Sequence, residues 1–86
     1  MNQGDKMLDI KVQSTRGTMD FSFLKEKKVA DAINEVVKKF GFAPGDKFEL
    51  VFPANPGEPL KPERPLVSYH ITDGMVLVLT AIGGGV

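Results

Sequence analysis

Apolar and polar positions alternate in two places near the start of the chain. Leu8, Ile10 and Val12 are separated by Asp9 and Lys11, and Met19, Phe21 and Phe23 by Asp20 and Ser22. A period of two is the signature of a strand with one buried face. Between the runs, Ser14, Thr15, Arg16 and Gly17 supply small polar residues and a glycine able to take positive φ. The two strands are therefore predicted to close as an antiparallel hairpin with all six apolar side chains on one face. The period then changes. Val29, Ile33, Val36, Val37 and Phe40 form one stripe at helical spacing, which predicts a helix from about Glu26 to Phe40 that covers the hairpin face and stops at Gly41. Lys38 and Lys39 suit its C-terminal end, whereas Lys25, Lys27 and Lys28 put positive charge where the helix dipole prefers negative, so a frayed or 3₁₀ first turn is expected.

Beyond Phe42, Ala43 and Pro44 and a turn through Gly45 and Asp46, the segment Lys47–Phe52 alternates again, with Phe48, Leu50 and Phe52 on one face, and is predicted as a third strand. Pro53 to Pro65 holds five of the six prolines and reads as an irregular surface loop with a short edge segment around Leu60. Leu66–Ile71 suits one short helical turn. After Asp73 and Gly74, Met75–Ile82 is apolar on both faces, as strands in the middle of sheets are. This last strand is expected to insert beside the first, parallel to it, giving an α+β fold with a mixed four- to five-stranded sheet and one helix packed across one face. Residues 1–6 are expected to be a flexible N-terminal arm, 7–82 the domain and 83–86 a flexible glycine tail.

This order of elements is a β-grasp, and from Met7 to Gly85 the chain resembles the ubiquitin family. Gly17 stands five after Val12, as in the family's first hairpin. The helix ends in Gly41, Phe42, Ala43 and Pro44, similar to Gly-Ile-Pro-Pro, and Leu50, Val51 and Phe52 resemble a Leu-Ile-Phe strand. Leu66, Val67, Ser68, Tyr69, His70 and Ile71 resemble Leu-Ser-Asp-Tyr-Asn-Ile, and Gly83, Gly84 and Gly85 echo the diglycine tail. The turn at Asp73 and Gly74 and the stretch from Ala81 to Gly85 also resemble the sulfur carriers of thiamine and molybdopterin synthesis. The resemblance implies that the Tyr69 hydroxyl bonds a backbone group of the proline loop.

Composition narrows the chemistry. Eighty-six residues make one small domain, and eleven basic residues against eleven acidic ones remove the electrostatic argument for nucleic acid or anionic lipid as main partner. Without cysteine there is no disulfide framework, thiolate metal site or cysteine nucleophile. The longest apolar run, Met75–Leu79, is far below the roughly 20 residues of a membrane span, so a soluble, cytoplasmic monomer is expected. The single histidine, His70, fits a partly exposed packing residue better than a base or metal ligand, and Asp9, Asp20 and Glu49 fall on outward strand positions as solvated charges. Lys25, Lys27 and Lys28 fit a solvated helix start better than a docking patch or conjugation sites. No phosphate loop, metal-ligand spacing or nucleophile triad is present, so neither catalytic residues, metal nor cofactor are expected, and the chain is not expected to be an enzyme.

Two features remain as candidate sites. The first is the tail Gly83, Gly84 and Gly85. The resemblance implies that its carboxylate is activated with ATP by a partner enzyme, because glycines fit a narrow channel that admits no side chain. Val86 departs from the pattern, since mature modifiers and sulfur carriers end at the second glycine; a trimming peptidase would have to remove it. The second is the sheet face away from the helix, where Val51 and one of the sets Val76 and Val78 or Leu77 and Leu79 would form an exposed apolar patch for other proteins. Counting from Tyr69 and Gly74 puts Leu77 and Leu79 in the core; counting back from Gly84 and Gly85 puts them on the patch. Three functions follow: a ubiquitin-like modifier of the bacterial kind, a sulfur carrier forming a C-terminal thiocarboxylate, or a non-conjugated adaptor binding through its sheet face.

Overall fold

A computed structural model describes residues 6–43 and 46–82. Gly45 of the expected turn, the first five residues of the expected arm 1–6 and the tail 83–86 lie outside the described residues, while Lys6, the last residue of that arm, accepts the Lys25 N–H at 2.8 Å.

Two strands, β1 (Met7–Ser14) and β2 (Gly17–Leu24), form the hairpin, and the facing pairs Leu8 and Phe23, Ile10 and Phe21, and Val12 and Met19 put the six apolar side chains in phase. Gly17 takes φ 111°, a left-handed value that glycine adopts without a Cβ clash. Helix α1 (Val29–Phe40) lays Val29, Ala32, Val36, Val37 and Phe40 onto this face. Strands β3 (Phe48–Val51) and β4 (Val76–Ala81) complete a sheet of order β2-β1-β4-β3, with β4 parallel to β1 and antiparallel to β3. The doubly apolar strand is thus an inner one. Leu8, Ile10, Val12, Phe23, Leu50, Leu60, Leu66, Ile71, Leu77 and Leu79 close the core with the helix residues. Met19 shares their face but, on the outer strand beside the hairpin tip, stays 37% exposed.

The helix starts three residues later than the expected Glu26, at the first residue of its apolar stripe. Lys28, its N-cap, is extended and offers no side-chain cap. The orphan N–H groups that begin any helix are met by the proline loop instead: Val29 N–H donates to Arg64 O at 2.9 Å and Ala30 N–H to Pro62 O at 3.0 Å. Leu66 and Val67 in turn donate to the carbonyls of Lys27 and Lys25, so the lysine segment lies along the loop rather than in a first helical turn. At the other end Gly41 takes φ 80°, and Phe42 N–H returns to Val37 O at 3.1 Å, the αL stop that the sequence predicts. The last carbonyls are met from the hairpin tip: Arg16 donates to Phe40 O at 3.1 Å and Gly41 O at 3.0 Å, and its guanidinium carbon lies 4.5 Å from the Phe42 ring centre.

The predicted helical turn is a 3₁₀ helix over Leu66–Tyr69, closed by His70 in the left-handed region at φ 57°. The Tyr69 hydroxyl accepts the Lys61 N–H at 2.7 Å and so ties down the proline loop. Leu60 is buried against the core and donates its N–H to Leu50 O at 2.9 Å, a single rung of the predicted edge segment.

Candidate functional site

The face of the sheet away from α1 carries the odd residues of β1 and the even residues of β4. Lys11 lies beside Val76 and Gln13 beside Val78 across the parallel pair, while Val51 faces Val78 and Glu49 faces Thr80 across the antiparallel one. Leu77 and Leu79 point the other way. Leu77 sits beside Val12, Leu79 opposite Leu50, and their exposures are 0% and 4%, so both belong to the core and leave the expected patch. Only one of the two counts from the sequence could hold, because side chains on a strand alternate and a shift of one residue exchanges the faces. The count from Gly74 is the one realised.

Val51 is on the far face but only 2% exposed, which also corrects the expectation of an open valine there. What remains at that surface is Val76 and Val78, both half-buried, bordered by Gln13 and by the Lys11–Asp20 ion pair at 2.8 Å. The apolar strip is therefore narrower than the five residues Val51, Val76, Leu77, Val78 and Leu79 named from the sequence.

The entry of β4 into the sheet is held by a device invisible to pattern reading. The Asp73 carboxylate accepts the Asp9 N–H at 2.9 Å, Gly74 N–H donates to Asp9 O at 2.8 Å, and Lys11 N–H donates to Met75 O at 3.0 Å. A side chain thus supplies the first rung of the parallel ladder. At the exit, Ile82 N–H donates to Lys47 O at 2.9 Å, and Ile82 is the last described residue before Gly83, Gly84, Gly85 and Val86, which lie outside the described residues.

The other candidates are placed as follows. His70 is exposed, and Asp9 and Asp20 are exposed on the far face, Asp9 accepting from the Ser22 hydroxyl. Glu49 faces the Thr80 hydroxyl at 3.5 Å. Lys27 pairs with Glu35 at 2.6 Å. Among the described residues no three His, Asp or Glu side chains gather as a metal site would require, and no helix is long and apolar enough to cross a membrane.

No family model matches the chain, and no curated protein matches it. Solved structures do. A de novo design based on ubiquitin superimposes with a TM-score of 0.75 at 23% identity, over 93% of this chain and 94% of the design. A chain from a structure concerning molecular mimicry of SUMO that promotes DNA repair gives 0.75 at 18%, over 87% and 91%. A chain of a pParkin–pUb–UbcH7 complex gives 0.75 at 14% over 88% of this chain, which spans 23% of that one. The fold is the ubiquitin-like β-grasp.

Proposed function

We propose that this chain is a ubiquitin-like modifier or protein-interaction module, and that a partner enzyme activates Gly85 with ATP once the chain is cut behind it. The supporting observation is the position of β4. It is an inner strand, clamped by β1 and β3, and it leaves the sheet only one residue before Gly83. A glycine run following directly on a rigid inner strand is anchored at one end and narrow along its length, which suits threading to a nucleotide.

The chemistry belongs to the partner, and the chain is its substrate. The Gly85 carboxylate attacks the α-phosphorus of ATP and releases pyrophosphate, leaving an acyl adenylate. A thiolate of the activating enzyme displaces AMP, and a lysine amine then displaces the thiolate and loses a proton to give an isopeptide. The half-buried strip of Val76 and Val78 is the surface on which other proteins would settle. A trimming peptidase is required because Val86 follows Gly85. That same β-branched residue favours a second reading, an adaptor that is never activated and works only through its surfaces.

Intact mass spectrometry of the protein from its native cells separates the readings. Loss of Val86 together with covalent adducts at Gly85 supports the modifier. Loss of Val86 with one oxygen replaced by sulfur, and no isopeptide, would convert the assignment to a sulfur carrier. A chain that keeps Val86 under every condition leaves the adaptor.

A further inference from the structure

The helix and the sheet do not close along the outer edge of β3. Ile33 and Val37 of α1 stand across from Phe48 and Ile82 over a cavity of about 380 Å³. A second cavity of about 260 Å³, walled by Pro59 and Leu60, shares Ile33, Phe48, Pro62 and Ile82 with the first. Shared walls make the two one trough. Its lining is apolar and reachable: Ile82 is 47% exposed, and Ile33 and Phe48 are half-buried.

Two further features point to its occupant. The rim carries Lys38, Lys47 and Lys61 against Asp46, while the carboxylate of the other acid nearby, Glu49, is turned toward Thr80. The ion pairs among the described residues join Lys11 to Asp20 and Lys27 to Glu35, so among the described residues no carboxylate pairs with the three rim lysines. The backbone contributes as well. Lys47 O accepts from Ile82 and Leu50 O from Leu60 on the opposite side of the strand, so the alternation of an antiparallel strand directs the Phe48 N–H and C=O away from β4, to the strand edge that borders the trough.

We propose that this trough binds an extended, acidic segment of a partner protein through two large apolar side chains, with its carboxylates on Lys38, Lys47 and Lys61 and its backbone against Phe48. Peptides added at a strand edge gain affinity from main-chain hydrogen bonds and selectivity from alternate side chains in pockets. A second copy of this chain does not fit, because a two-fold contact through the trough would set the same net-positive rim on both partners. The site is distinct from the Val76 and Val78 strip, which lies on the opposite face of the sheet.

The test is selection of a random twelve-residue display library on the full chain, followed by titration of the best synthetic peptide into isotope-labelled protein. Enriched peptides should pair two large apolar residues with Asp or Glu, shift the amides of Ile33, Val37, Phe48 and Ile82, and bind more weakly as salt rises. Lys38→Glu combined with Lys47→Glu, and separately Ile82→Ser, should each weaken binding about tenfold or more, as loss of rim charge or of an apolar anchor does. All three positions are exposed, so these variants keep the fold, which unchanged amide dispersion verifies. The proposal is overturned if no peptide is enriched, if shifts fall on Val76 and Val78, if the charge reversals leave affinity unchanged, or if sedimentation shows a dimer closed through the trough.

Discussion

Replacing Arg16 by alanine disconnects the hairpin tip from the end of the helix. The side chain makes two hydrogen bonds, to the carbonyls of Phe40 at 3.1 Å and Gly41 at 3.0 Å, and stacks over Phe42 at 4.5 Å. Each hydrogen bond contributes about 1 kcal/mol net, below the roughly 1.5–3 kcal/mol usual for a charged donor because the contact with Gly41 is exposed. The cation–π contact adds about 0.5–1 kcal/mol at such a site. Freeing the long side chain returns roughly 1–2 kcal/mol of rotamer entropy to the variant. The net loss is then about 0.5–2 kcal/mol, set against the roughly 5–15 kcal/mol that holds a domain folded. Urea unfolding followed by circular dichroism should show the midpoint fall by roughly 0.2–2 M at unchanged slope, since the slope for small proteins is about 1–3 kcal/mol/M. Arg16→Lys keeps the charge but not the planar fork and should recover less than half the loss. A loss below about 0.3 kcal/mol for Arg16→Ala, within the range of ordinary surface substitutions, would refute the argument, as would full recovery by lysine.

Three other outcomes are expected. Leu77→Ala empties a fully buried position beside Val12 and should cost about 2–5 kcal/mol, leaving a partly unfolded population visible as lost amide dispersion. Asp73→Ala removes the acceptor of the Asp9 N–H and should cost about 1 kcal/mol, with faster hydrogen exchange at that amide while amides in α1 keep their protection. His70→Gly relieves a left-handed non-glycine residue worth roughly 1–2 kcal/mol, offset by about 0.5–1 kcal/mol of added chain entropy, so thermal unfolding should move slightly upward.

Local pattern carried most of the fold. The alternation of Leu8, Ile10 and Val12 with polar neighbours, the stripe from Val29 to Phe40, and the double apolar character of Met75–Ile82 each appear in a short window. They determined the hairpin, the helix and the inner strand because burial imposes periods of 2 and 3.6 on any chain. The candidate surface was less legible. One residue of ambiguity in the last strand decides whether Leu77 or Val78 faces the core, and that ambiguity is resolved by Gly74 and by Asp73, 64 positions from Asp9, locking onto Asp9.

The sequence by itself determined which segments become strands and helix and which strand must be inner. Only the tertiary structure decided where α1 begins, what satisfies its two ends, how far the far-face patch extends and that a lysine-rimmed trough opens beside β3. The reason is physical. Periodicity is a local consequence of burial, whereas a carbonyl of Arg64 meeting the N–H of Val29, or the Arg16 fork meeting Phe40 and Gly41, depends on distances between remote segments that no short window encodes.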